Sequence, residues 1–184
     1  MQKSGKSVII IVLICAIFIV SIFAFLVNQN KAPKDTMFTQ IDYTLSKDLD
    51  LDYPSTPKAV LTYYNEILDC IYGNEATEEQ LRDLAEKARQ LYDSELQEAN
   101  EPTVHFQKLL TEVEDFQNLD RMIFDFTVAS AVNTEEFTQD GYQFARLSSG
   151  YTVKDGDVNK PTQILYLLRK DASGKWRIYG WEQK

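Results

Sequence analysis

The hydrophobic pattern begins with an unbroken apolar run over residues 8–27, VIIIVLICAIFIVSIFAFLV. The run holds no charged residue, amide, Gly or Pro, and as a helix it would be ~30 Å long, which matches the hydrocarbon core of a bilayer. A buried helix of a water-soluble domain has a polar face, which this run lacks. The pattern therefore predicts a transmembrane helix from Val8 to Val27, with the lipid bilayer as its partner.

The charges on either side of the run predict its orientation. Lys3 and Lys6 precede it, and the next charged residue is Lys31. Positive residues favour the cytoplasmic side of a membrane. We therefore expect residues 1–7 to be a cytoplasmic tail and the rest of a single-pass cell-membrane protein to lie outside.

Cleavage of the run as a signal peptide is the alternative that this pattern leaves open. Signal peptides have an apolar core of roughly 7–15 residues and a small-x-small cleavage site. The run is longer than that, and Phe23 and Phe25 on either side of Ala24 give no such site. The pattern favours an uncleaved signal anchor.

Residues 28–53 mix polar positions with scattered apolar ones and keep no helical period. We interpret them as a juxtamembrane linker, in which Phe38, Ile41 and Leu51 are candidates to dock on the domain that follows. Residues 54–184 are enough for one extracytoplasmic domain with its own core.

Three amphipathic helices are predicted in the first half of that domain. The first begins with Thr56 as N-cap and Pro57 at the first helical position. The second begins with a capping box between Thr77 and Gln80. Apolar residues recur every three or four positions in each helix, which gives each one buried face. Their expected ranges are about 56–73, 77–96 and 103–118.

From Arg121 the apolar period changes to two, which is typical of a strand with one buried face. Met122, Phe124, Phe126 and Val128 form the apolar side of this strand. Four antiparallel strands are expected, at about 121–129, 141–153, 162–170 and 175–182, and the last two form a hairpin. The element order predicts an α+β fold in which a transmembrane helix is followed by three helices packed on one face of a curved four-stranded antiparallel sheet.

The sequence resembles two known families. The closing hairpin, ILYLLRKDASGKWRIYGWEQK, after helices and strands in this order, resembles the nuclear-transport-factor-2-like (NTF2-like, or cystatin-like) cone fold. The stretches TPKAVLTYYNEI, LYDSEL and GKWRIYGWE look like an uncharacterised family of membrane-anchored proteins from clostridial Firmicutes. Cone-fold domains serve as isomerases, dehydratases, scaffolds and adaptor modules. The resemblance therefore implies a fold, and a homodimer through the sheet, but no activity.

The acidic charge of the chain limits the classes of partner that we expect it to bind. All 28 acidic residues but only 17 of the 19 basic ones follow residue 27. A nucleic acid is not an expected partner, because a negative field repels its phosphates. An unknown protein or small molecule is expected instead. Cys70 is the only cysteine beyond the run and lies in an apolar helical pattern, so we expect a buried thiol and no disulfide within the domain.

No cofactor and no metal site are expected from the motifs. The chain has no Gly-rich phosphate loop, no Gly-x-Ser-x-Gly and no Cys-x-x-Cys. His105 is the only histidine, and we expect it on a helix surface. The acidic run at residues 48–52 lacks the Gly and the final Glu of an EF-hand loop. We interpret it, like Glu78 and Glu79, as solvated charge.

Asp125 is the candidate catalytic base, because it is a carboxylate within an apolar strand and burial would raise its pKa towards the range for proton abstraction. In the ketosteroid-isomerase branch of the cone fold a pocket Asp is the base, and a Tyr with a second acid forms an oxyanion hole. By that resemblance Tyr142, Tyr151 or Tyr166 would supply the phenol. The other interpretation is that Asp125 faces solvent or pairs with Arg146.

Four aromatic residues, Trp176, Trp181, Tyr63 and Tyr64, are candidates for a binding surface. The odd separation of the two Trp residues points them to opposite faces of a regular strand. One is then expected in the core and the other at the open end of the cone or in a protein contact. The sequence as a whole predicts a membrane-anchored extracytoplasmic binding or assembly module that is not an enzyme. The alternative is a small-molecule-binding protein or a lyase/isomerase-type enzyme that uses the cone pocket.

Overall fold

The computed structural model describes residues 38–73 and 75–183. Its α-helices are α1 (Gln40–Ser46), α2 (Pro57–Tyr72), α3 (Glu78–Arg89), α4 (Ser94–Ala99) and α5 (Pro102–Asn118). Its strands are β1 (Arg121–Val128), β2 (Glu135–Gln139), β3 (Tyr142–Asp155), β4 (Val158–Lys170) and β5 (Trp176–Gln183). A short 3-10 helix, Ala131–Asn133, precedes β2.

The predicted fold class is wrong in its elements. In place of three helices and four strands after a transmembrane helix, the described residues form five α-helices followed by five strands. Each of these helices is too short or too polar to traverse a bilayer. Residues 8–27, where the sequence predicts the transmembrane helix, lie outside the described residues. The described part is an α+β domain whose helices contact an antiparallel sheet.

Helix α1 forms where the sequence predicts only a linker. Its residues Ile41 and Thr44 are buried, and the Tyr63 hydroxyl donates a hydrogen bond of 2.8 Å to the carbonyl oxygen of Thr44. Phe38 and Leu51, the other candidates for docking, are 69% and 87% exposed. Two turns are too few for an apolar period to stand out in a sequence. The buried contacts of α1 make it part of the domain.

Local capping signals start α2 and α3 where the sequence predicts them. The backbone N–H of Ala59 donates to Thr56 Oγ1 at 3.1 Å, and Pro57 takes the first helical position. Thr77 and Gln80 form both hydrogen bonds of the predicted capping box, at 2.9 and 3.3 Å. Each bond satisfies an N–H that the first helical turn leaves without a partner.

The predicted second helix ends early, because a tertiary contact competes with it. Leu91 accepts a hydrogen bond from the N–H of Ile178 in β5, and the N–H of Asp93 donates to the carbonyl oxygen of Ile178, both at 2.8 Å. This extended segment buries Leu91 and Tyr92 and covers the edge of β5. The chain then resumes as α4, with Asp93 as its N-cap.

The five strands form one antiparallel sheet in the order β1-β3-β4-β5, and β2 pairs with the first half of β3 beside β1. We call the side that faces the helices the inner face and the opposite side the outer face. The inner face carries the buried side chains of the sheet, which include Ala145, Leu147, Ser149, Tyr151, Tyr166, Leu168 and Ile178. The sequence misses β2, because none of its five residues is buried and its pattern has no apolar alternation.

A bulge in β1 changes which residues of that strand face inward. The pairing with β3 shifts between Ile123 and Asp125, so Phe124 is an extra residue in the ladder. A residue inserted into one strand reverses the alternation beyond it. Ile123 is therefore buried, and Phe126 lies opposite Tyr151 on the inner face. Asp125, its neighbour, is exposed on the outer face.

Candidate functional site

A cavity of about 730 Å³ lies between helices α2 and α5 and the inner face of the sheet. Its wall includes four aromatic side chains from three different parts of the chain. Tyr64 comes from α2, Tyr92 from the segment that bridges to β5, and Tyr166 and Trp181 from adjacent positions of β4 and β5. We call these four residues the aromatic wall.

The rings of the aromatic wall contact one another at distances typical of packed aromatic pairs. The Tyr64 centroid lies 6.0 Å from that of Tyr92 and 5.9 Å from that of Tyr166. Trp181 lies 6.0 to 6.4 Å from all three tyrosines. Tilted and edge-to-face rings at these separations attract one another beyond their burial. The wall is therefore a preformed surface.

Trp181 reaches this wall because β5 contains a bulge. The pairing of β4 with β5 passes from Leu168 opposite Ile178 to Leu167 opposite Gly180, so Tyr179 is extra. Trp176 and Trp181 consequently point to the same inner face, and the prediction of opposite faces is wrong. Trp176 is only 5% exposed in the core, whereas Trp181 is 45% exposed at the cavity.

The two tyrosines proposed with the Trp residues are both buried in α2. Tyr64 lines the cavity, whereas Tyr63 packs towards α1 and lines a separate cleft beside Tyr43 and Lys47. The structure thus brings Tyr64 and Trp181 together at one site and leaves Tyr63 and Trp176 outside it.

A directional chain of hydrogen bonds lies behind the wall. The Tyr151 hydroxyl donates its single proton to Asn65 Oδ1 at 2.5 Å, so the Tyr166 hydroxyl must be the donor of its 2.7 Å bond to Tyr151. Asn65 Nδ2 then donates to Ser149 Oγ at 2.7 Å. Burial raises the pKa of Tyr151 to about 12 and that of Tyr166 further. These phenols therefore remain protonated and neutral.

Tyr64 and Tyr92 form a second buried pair of hydroxyls, with 3.2 Å between the two oxygens. Burial raises the pKa of both phenols above its usual value. One hydrogen bond between two hydroxyls uses one of their two protons. The other proton has no acceptor among the described residues.

Charged groups surround the mouth of the cavity. Asp155 is paired with Arg121 at 3.2 Å and contacts Lys160, and hydrogen bonds from these two cations lower the pKa of the Asp155 carboxyl. Lys108 and Glu112 of α5 also line the cavity. The mouth is thus polar and the interior aromatic, as in many small-molecule sites.

His105 also lines the cavity, whereas the sequence predicts it on a helix surface. Its ring stands edge-on to Tyr92, with 6.1 Å between the centroids. Burial, followed by the nearby charges of Arg89 and Lys108, lowers the pKa of His105. The imidazole is therefore neutral near pH 7.

The candidate base Asp125 lies on the other side of the sheet. It borders a shallow outer-face depression of about 490 Å³ together with Thr127 and Gly150. Tyr142 is also on the outer face and is 52% exposed, whereas Tyr151 and Tyr166 are bonded to each other on the inner face. Tyr151 borders the same depression as Asp125, but its hydroxyl is bonded to Asn65 and Tyr166 on the inner face.

Arg146 pairs with Glu135 of β2 at 3.0 Å, not with Asp125. The two residues lie directly opposite each other in the β2-β3 ladder. Sequence reasoning could not find this partner, since it does not predict β2. The proposed pairing of Asp125 with Arg146 is wrong.

Metal ligands and reactive thiols do not cluster in the described part of the chain. No group of three or more His, Cys, Asp or Glu side chains there could hold a metal ion. Asp48 instead accepts hydrogen bonds from the N–H groups of Asp50 and Leu51, as in a turn. Cys70 is a buried free thiol, as its helical pattern predicts.

Comparison with known proteins gives a family and no activity. No curated protein matches the chain. The model of a family described as a domain of unknown function, DUF6715, matches residues 1–181, and the chain therefore belongs to that family.

Proposed function

We propose that this protein is a non-catalytic binding module and that the cavity lined by the aromatic wall is its binding site. One observation carries the proposal: a cavity of about 730 Å³ whose wall includes a Trp side chain that is 45% exposed. Small-molecule sites are typically ~300–1,000 Å³ in volume, with mainly apolar walls and a few polar groups. The ligand is a small molecule with a flat apolar part that stacks on Trp181.

The enzyme alternative finds less support in the geometry. A lyase or isomerase that used Asp125 as its base would need that carboxylate beside a substrate and a phenol. Asp125 is exposed on the outer face, whereas the hydroxyls of Tyr151 and Tyr166 are bonded to each other on the inner face. A binding role requires only the aromatic wall.

We also propose that the domain is a variant of the NTF2-like cone fold and that the chain is related to the membrane-anchored clostridial proteins that it resembles. Helices on the inner face of an antiparallel sheet, two bulged strands and a cavity between the layers support the fold. A homodimer through the sheet stays a prediction.

For the location, we propose attachment to the outer face of a cell membrane through residues 8–27. The support is the uncharged composition of this segment, with Lys3 and Lys6 before it and the acidic residues after it. A C-terminal fusion to alkaline phosphatase, which is active only outside the cytoplasm, is expected to be active and membrane-bound. The same fusion without residues 8–27 is expected to be inactive. An inactive full-chain fusion would contradict the proposal.

The binding site is tested by Trp181→Ala, assayed with the flat hydrocarbon 2-ethylnaphthalene. We expect the dissociation constant of the 184-residue chain for this probe to rise about tenfold, because the variant loses an aromatic contact of about 0.5–1.5 kcal/mol and the apolar area that the probe buries on the ring. Equilibrium dialysis measures the constant.

Tyr142→Ala is the matched control, because Tyr142 is similarly exposed but lies on the outer face of the same sheet. We expect this variant to bind the probe within about twofold of the unmodified chain. Equal losses in both variants, or no loss in the Trp181 variant, would place the binding site elsewhere.

A further inference from the structure

We propose that the ligand of the cavity carries a carbonyl oxygen that accepts a hydrogen bond from the hydroxyl pair of Tyr64 and Tyr92. This inference rests on the proposed function, since it names the chemistry of the molecule that the aromatic wall binds. The observation behind it is the number of O–H protons that the hydroxyls of Tyr64 and Tyr92 bring and the number that their hydrogen bond uses.

Two phenols bring two O–H protons, and the 3.2 Å contact between them uses one. Whichever hydroxyl donates, the other keeps a proton that no described residue accepts. Other possible acceptors lie near the pair: the Tyr166 hydroxyl, whose ring is 5.9 Å from that of Tyr64, and the Glu112 carboxylate and His105 imidazole, which line the same cavity. Among the described residues, none of these groups is hydrogen-bonded to the pair, and the Tyr166 hydroxyl is bonded to Tyr151.

The pair is placed where a ligand can reach this proton. Tyr64 and Tyr92 are only 4% and 3% exposed, yet both line the cavity. The side chains around them are mainly aromatic, and a buried donor without an acceptor is unfavourable. A ligand oxygen in the cavity would supply the missing acceptor.

The same count calls for a hydrogen-bond acceptor on the ligand, and a carbonyl oxygen is an acceptor that a flat apolar molecule can carry. A group that only donates hydrogen bonds leaves the proton unbonded, whereas a carbonyl oxygen accepts it. Burial keeps both phenols protonated near pH 7, so the donor is always present. A flat ketone or related carbonyl compound therefore suits both the aromatic wall and the hydroxyl pair.

Two isosteric probes test the proposal: 2-acetylnaphthalene, which has a carbonyl oxygen, and 2-ethylnaphthalene, which has none. We expect the 184-residue chain to bind the ketone about tenfold more tightly or better, because a site built to hydrogen-bond a ligand discriminates against an analogue without that group. Equilibrium dialysis gives both constants.

The variants Tyr64→Phe, Tyr92→Phe and the double variant make the test specific. Each single variant still holds one hydroxyl with its proton, so we expect both to retain a preference for the ketone. The double variant has neither hydroxyl, and its two constants should agree within about twofold. Removal of both partners of a buried hydrogen bond is nearly neutral for folding, and thermal unfolding checks this. Detergent takes up a given probe equally in every sample, so its effect cancels when the ratio of the two constants is compared between the unmodified chain and the double variant.

The outcomes separate the two proposals. Equal binding of both probes by the unmodified chain overturns the carbonyl inference and leaves the binding site intact. A ketone preference that persists in the double variant also overturns it, since another group then donates to the carbonyl oxygen. Failure of the unmodified chain to bind either probe overturns the binding site itself, and the inference with it.

Discussion

Asn65→Ala is expected to lower the free energy of unfolding by about 3–5 kcal/mol, because it breaks the hydrogen-bond chain behind the aromatic wall. Asn65 is fully buried and bridges two strand residues, accepting from Tyr151 and donating to Ser149. Without the amide, the Tyr151 hydroxyl and Ser149 Oγ are both left without this partner in the core. Each buried polar group without a partner costs about 1–3 kcal/mol, and the lost side-chain volume adds to that cost.

For a domain of this size such a loss corresponds to a fall in melting temperature of roughly 10 °C. Thermal unfolding of the 184-residue chain, followed by circular dichroism, measures it. Asn100→Ala is the matched control, because the Asn100 amide donates only to the carbonyl oxygen of Leu96 at the partly buried end of α4. We expect the control to cost about 1 kcal/mol. A similar loss in both variants would show that the buried chain adds nothing special to stability.

The sequence could predict the elements whose ends are marked by capping or turn residues close by in the chain. The starts of α2 and α3 depend on side chains within four residues of the cap, and a cap acts in the same way whatever packs against the helix. The hairpin at residues 171–174 is similarly local, since Asp171 accepts hydrogen bonds from the backbone of Ser173 and Lys175 within the turn. These parts needed no knowledge of the fold.

The missed parts depend on contacts between distant segments. The chain leaves the helix after Arg89 because Leu91 and Asp93 pair with Ile178, almost ninety positions away. Bulges at Phe124 and Tyr179 each reverse the inward and outward positions that follow. An alternating pattern cannot reveal an inserted residue, and for this reason the sequence predicts the wrong face for one of the two Trp residues.

In the candidate site, too, the sequence indicates single residues, whereas their partners depend on contacts between distant segments. The sequence indicates Tyr64 and Trp181 as candidates for binding, but it does not bring them together with Tyr92. Asn65 had a usable signal: it is four positions after Leu61 in α2, on a buried side of the helix, where a polar residue is expected to have a partner. Its partners Ser149 and Tyr151 lie on β3, and only the fold identifies them.

Arg169→Met is expected to be as damaging as the loss of Asn65, with a cost of about 3–5 kcal/mol. Arg169 Nε donates to Asp93 Oδ2 at 2.9 Å, and a second guanidinium nitrogen contacts the other carboxylate oxygen. The two side chains are only 12% and 4% exposed. Removing one partner of a buried ion pair leaves the other charge uncompensated in the interior, and this accounts for most of the cost. Asp93 also caps α4, so its displacement would weaken the edge beside β5.

Arg146→Met is the control for this variant. Arg146 also pairs with a carboxylate, Glu135, and lies over an aromatic ring, that of Phe137, at 5.1 Å. Its ion pair is open to solvent, with side-chain exposures of 44% and 62%, so we expect a cost of about 0–1 kcal/mol. Both variants remove one guanidinium charge, but Arg169 also pairs with Glu95 at 2.7 Å and lies over two rings, those of Tyr142 and Tyr179. The variants therefore differ in burial and in the number of partners that each one loses.

A double variant, Asp93→Asn with Arg169→Met, separates the worth of the ion pair from the penalty of an isolated charge. If the penalty dominates, this variant will be more stable than Arg169→Met alone, because the amide that replaces the Asp93 carboxylate carries no charge and can still cap α4. Thermal unfolding is measured for the unmodified chain, Asp93→Asn, Arg169→Met and the double variant. The four values give the coupling free energy between Asp93 and Arg169. Equal stability of Arg169→Met and the double variant would show that Asp93 is not left as an isolated buried charge, for example because the edge of β5 opens to water when Arg169 is removed.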